Sequence, residues 1–164
     1  MVNASSTLPT VLLAAATGAR SMTGLAATAR QIAAAGAAPS APLPQPARWL
    51  ATPRVAGSIA ALAAMELVAD KLPGIPNRTD PGPLLGRVAT GGLIGAAIAA
   101  VAGSDRARGA VVGAAAAFAG AHLGFQLRRE LAERLPAGVA ALVEDAAVGA
   151  VAAAGVSAMT GVRS

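Results

Sequence analysis

The sequence has no cysteine and no tyrosine, and its 164 residues include only two Phe, one Trp and a single Lys. Without cysteine there is no disulfide, thiolate metal site or cysteine nucleophile, and the redox compartment is left open. The shortage of aromatics removes the stacking set that nucleic-acid binding needs, and the arginines stand singly between apolar runs, so the net charge of +5 does not point to nucleic acid. Charged residues make up only 13% of the chain, against about a quarter in soluble domains. That is too little charge to cover the outer faces of a soluble Ala-rich helical bundle, which is the alternative to a membrane protein. Also missing are an HExxH element, a Walker-type loop and a Ser/His/Asp arrangement. An enzyme acting on lipid head groups through carboxylates and a His therefore ranks behind non-enzymatic readings. No cofactor is implied.

What the chain does have is apolar length, with 55% hydrophobic residues and a mean hydropathy of +0.60. Five apolar segments emerge, at about 8–36, 55–72, 84–103, 108–127 and 137–159. Each is near the length that crosses ~30 Å of hydrocarbon at 1.5 Å per residue. A Pro-rich loop, 37–54, separates the first two and carries Arg48-Trp49, a pair suited to the membrane interface. Residues 128–135 extend the fourth segment as an amphipathic helix. Gly91/Gly95, Gly109/Gly113 and Gly120/Gly124 are small-xxx-small pairs that allow close helix packing, and such faces also offer a surface for a homodimer. Residues 1–7 lack the basic n-region of a cleavable signal and read as mature sequence. The expectation is one all-α membrane domain, 1–164, of about five transmembrane helices, with the lipid bilayer as its partner. Lys and Arg balance between the two sides of a five-span topology. That balance is compatible with an antiparallel dimer or with an orientation set by other signals.

Carboxylates within such segments are costly and persist where they line a water path, pair with a cation or move protons or ions. Glu66 and Asp70 share a helical face at the end of the second segment, and Glu144-Asp145 lie within the fifth. Counted from the segment starts, Arg20, Glu66, His122 and Glu144 all fall roughly 12–18 Å deep, close to the midplane. These six residues are the candidate transport pathway. In this reading Arg20 tunes the carboxylates or binds an anionic group, His122 is a candidate proton relay, and Glu66, Asp70, Glu144 and Asp145 are candidate ligands for a cation. The competing reading is a scaffold or accessory subunit in which Arg20 and an acid form a structural buried pair. Gly18-Ala19-Arg20 is echoed by Gly120-Ala121-His122, which suggests inverted repeats with helix breaks at Gly18 and Gly120.

Gly18-Ala19-Arg20-Ser21, the run Glu66-Leu-Val-Ala-Asp70-Lys71-Leu-Pro73 and Gly86-Arg87 together resemble a bacterial multi-pass membrane family known as domain of unknown function 4126. The resemblance implies an integral protein of the bacterial cytoplasmic membrane without an assigned activity. A looser similarity links the acidic elements to the Glu-x-Gly-Asp-Lys/Arg motif of inverted-repeat calcium/manganese–proton exchangers. Here, however, one more residue separates Glu66 from Asp70, and no basic residue follows Asp145.

Overall fold

The computed structural model describes residues 4–36, 43–69 and 79–160, with side chains at 6–34, 43–65 and 79–160. Among these residues all regular structure is helical: α1 (Ala4–Ala19), α2 (Thr23–Gly36), α3 (Ala47–Leu50), α4 (Pro53–Ala69), α5 (Pro81–Val101), α6 (Arg106–Arg134) and α7 (Ala137–Thr160). Helices α5, α6 and α7 are each long and apolar enough to cross a membrane. Large apolar side chains such as Leu85, Val111, Leu123 and Leu142 are left on the outside, on a surface that a bilayer would cover.

Local chemistry sets the helix ends. Pro81 and Pro83 lie in the first turn of α5, where a missing N–H costs nothing. Asp105 caps α6 by accepting from the backbone N–H groups of Ala107 at 2.9 Å and Arg108 at 3.2 Å. Between the two helices Gly103 takes φ +64°, a conformation that favours glycine, and Ser104 N–H closes the end of α5 on the Ala99 carbonyl. Pro136 excludes a helical conformation at Leu135 and so separates α6 from α7.

Glycine contacts fix the packing of α5 on α6. A Cβ at Gly95 or Gly109 would collide with the carbonyl of the other, and one at Gly113 would strike the Gly91 carbonyl. These are the small-xxx-small pairs of the sequence, and they bring two backbones into contact. The short connections make α5, α6 and α7 successively antiparallel. For orientation, the Pro81 end is where α5 and α7 begin, and the Gly103 end is where α5 turns into α6.

The first apolar segment is not one span. α1 starts toward the Gly103 end, since Thr10 lies beside Gly95, and it runs parallel to α6 until Gly18 reaches the Ala117–Ala121 backbone. The chain then turns over Arg20–Met22 and α2 heads back. A Cβ at Gly24 would meet the Leu13 carbonyl and the Thr17 hydroxyl, although a straight helix would put residues 13 and 24 about 16 Å apart. Residues 4–36 thus form a re-entrant hairpin with arms of 16 and 14 residues. Its apolar faces enter a core with Leu13, Leu25, Ile32, Leu50, Ile59 and Ile98.

Two more expectations change. The stretch 37–54 is not all loop, because Ala47–Leu50 make a helical turn and Pro53 opens α4; residues 37–42 lie outside the described residues. The halves are not inverted, because α1 and α6 enter from the same end. Residues 128–134 continue α6 without a break. Arg106 donates to the Gln45 carbonyl at 3.0 Å, which places the segment before α3 at the Gly103 end, with Trp49 exposed beside it.

Candidate functional site

The tip of the hairpin carries Arg20, only 6% exposed, and its guanidinium is ion-paired with Asp145 of α7. Asp145 lies eight residues into α7 and Arg87 six into α5, so the tip sits about 9–12 Å inside the ends of those helices. Arg87, also buried, donates to the Gly18 carbonyl at 2.9 Å. That carbonyl belongs to the last turn of α1, where a helix has no acceptors for its C=O groups and where positive charge is favoured. Two arginines from different directions therefore hold the end of α1.

Glu144 is wholly buried, and Arg128 of α6 reaches inward to it at 3.5 Å. Neighbouring positions on a helix diverge by about 100°. Accordingly, Glu144 faces α6 while Asp145 faces α1, and the two carboxylates meet different cations. Thr17, one turn before the tip, is fully buried, and its hydroxyl finds no hydrogen-bond partner among the described residues. Beside this layer lies a groove of about 380 Å³ in the gap between α6 and α7, floored by α1. Ala16, Gly120, Leu123, Leu127 and Val148 line it, and Glu144 lies at its edge.

Of the six residues expected on a pathway, the structure brings together Arg20, Asp145 and, in the same layer, Glu144. It does not bring His122. The His122 ring is about 200° around α6 from the buried Gly120 and Gly124, its Nδ1 bonds the Phe118 carbonyl at 2.9 Å, and the ring lies 4.3 Å from that of Phe118. Glu66 is carried by α4, which among the described residues packs only on α2 and α3. The Glu66 side chain and Asp70 lie outside the described residues. The described residues contain no group of three or more His, Asp or Glu able to hold a metal, and of the four candidate cation ligands they include the side chains of only Glu144 and Asp145. Gly120 breaks nothing: α6 is continuous through it, and the glycine is needed because a Cβ would collide with Ala15 of α1. Gly18 makes the reciprocal close contact with α6, and α1 ends at the next residue.

Arg87 and Arg128 were missed as site residues because segment boundaries at 84 and 127 put both at the surface. Two signals could have found them. Arg87 falls on the face of Gly91 one turn earlier, and Arg128 on the face of Gly124 one turn later.

No curated protein and no solved structure matches the chain. The family described as Domain of unknown function (DUF4126) matches residues 8–163, from the second turn of α1 to beyond the end of α7. With that match over nearly its whole length, this all-α membrane protein belongs to the DUF4126 family.

Proposed function

We propose that the protein is a small transporter or channel of the bacterial cytoplasmic membrane, passing an ion or small solute through the layer formed by Arg20, Glu144 and Asp145. The observation that carries this reading is the re-entrant hairpin. It places a chain reversal and a buried arginine inside the bundle, beside the fully buried Glu144 of α7 and below the ends of the spanning helices. Irregular backbone at membrane depth is tolerated where it is buried in protein or lines a cavity, and broken helices at that depth are where transporters bind substrates and coupling ions. Thr17, with its unmatched buried hydroxyl beside the tip, adds a polar group that a water or solute would satisfy.

The test is flux in reconstituted vesicles, followed with dyes for protons, Na⁺, K⁺ and Mn²⁺. Glu144→Gln and Asp145→Asn abolish flux while the protein still inserts. Wild-type flux in both variants overturns the proposal.

One observation favours a second reading, the scaffold or accessory subunit. Each described carboxylate of the layer already faces an arginine, Asp145 with Arg20 and Glu144 with Arg128. If pairing is the whole role, neutralising both members of a pair restores the stability lost by neutralising one, and no variant alters flux.

A further inference from the structure

We propose that the groove between α6 and α7 is a binding site for an anionic phospholipid, with one acyl chain in the groove and the phosphate on Arg128. The inference is independent of the transport reading.

The groove has the form of a chain site. Its wall is built from Ala, Gly, Val and Leu side chains of α1, α6 and α7, and Glu144 at its edge is wholly buried, so an occupant meets only apolar surface. It runs along α6 from Gly120 to Leu127, about 10 Å parallel to the helix axis and thus to the lipid tails. The two helices lining its sides pack little on each other, because α1 is wedged between them, and the gap opens to the outside, where Leu123 and Leu127 are exposed.

Charge decides which lipid. The apolar part of α6, residues 109–127, is about 28 Å long, close to the ~30 Å of hydrocarbon, so the backbone of Arg128 stands at the headgroup boundary, one turn beyond Gly124 of the groove wall. One guanidinium nitrogen of Arg128 faces Glu144, yet the side chain is 44% exposed. A guanidinium carries five N–H donors in a planar fork, and the outward part is suited to phosphate oxygens. Arg129 and Arg134, one and six residues further on, bridge to Glu133 and Glu130 on the same helix. Arg128 is therefore the arginine placed over the groove. A zwitterionic lipid brings its own cation to this position, whereas an anionic lipid does not.

The experiment is native mass spectrometry of the full-length protein in detergent, titrated with phosphatidylglycerol or with phosphatidylcholine of the same chains. Wild-type protein binds the first lipid about fivefold more tightly, the effect expected of one arginine near an anionic headgroup. Arg128→Gln alone leaves Glu144 buried beside a neutral group and risks misfolding, so the informative variant is Arg128→Gln with Glu144→Gln. That pair removes the preference. Ala147→Leu, which fills the groove from α7, lowers the affinity for both lipids. Equal binding of the two lipids by wild-type protein, a preference that survives the double substitution, or unchanged binding to Ala147→Leu each overturns the proposal.

Discussion

Neutralising Asp145 is the perturbation whose size can best be worked out. Asp145→Asn keeps the shape of the side chain but removes the counter-charge of Arg20, a guanidinium 6% exposed at the tip of the hairpin. Arginine stays protonated in proteins, so the charge cannot be shed. Leaving one member of a buried pair alone costs about 3–5 kcal/mol, most of it the penalty of the abandoned charge. At roughly 2–4 °C per kcal/mol for a chain of this size, the midpoint of thermal unfolding falls by about 6–20 °C. Arg20→Gln costs less, because the Asp145 left without its cation is 29% exposed and water can reach it. The double variant removes both charges and recovers much of the loss, giving a coupling of about 2 kcal/mol or more, which adjacent charges can reach and independent sites do not. The assay is thermal unfolding of purified protein in one detergent at one lipid content, for wild type, both single variants and the double. Additive losses, or a loss below about 1 kcal/mol for Asp145→Asn, which is the size of an exposed surface pair, would refute the claim that this part-buried pair latches the hairpin.

Other outcomes follow from the same geometry. Gly95→Leu drives a side chain into the Gly109 carbonyl and prevents recovery of monodisperse protein by size-exclusion chromatography; by contrast, Gly149→Ala faces open space and raises the unfolding midpoint slightly, by up to about 1 kcal/mol of helix propensity. Arg87→Met removes the donor to the Gly18 carbonyl and lowers stability by about 1.5–3 kcal/mol in the same thermal assay. His122→Ala leaves flux unchanged and shifts stability by less than about 1 kcal/mol, because its partner is Phe118 on its own helix; a loss of flux would place His122 back on the pathway.

The sequence discloses the fold class and the close-packing faces because both follow from short-range rules. Scarce charge with long apolar runs indicates a bilayer, and glycines spaced by four lie on one helical face. Gly91, Gly95, Gly109 and Gly113 pack as that spacing requires. The hairpin was harder to see. The window 8–36 contains enough apolar residues for one long span, and nothing local says that Gly24 lies on Leu13 rather than 16 Å beyond it. The clue was Gly18-Ala19-Arg20 itself, since a charge and a glycine together in an apolar run are costly for a straight span and natural at a reversal. Depth counting found Arg20 and Glu144 but also admitted His122, because depth along an axis says nothing about direction around it. Arg87 and Arg128 escaped for the opposite reason. Their faces were right, but a boundary error of a few residues moved them to the surface.

The re-entrant hairpin is the claim on which the site rests, and its topology can be measured directly. A chain without cysteine gives a clean background for single-cysteine labelling. The hairpin puts the start of α1, Gln45 and Ser104 on one side of the membrane and Gly138 on the other. A five-span chain puts the start of α1 on the Gly138 side. In right-side-out and inverted vesicles, with a membrane-impermeant maleimide and a protease-cleavable N-terminal tag, the account predicts that the tag, Gln45→Cys and Ser104→Cys react from the same side and Gly138→Cys from the opposite one. A tag cleaved from the side that labels Gly138→Cys would contradict it.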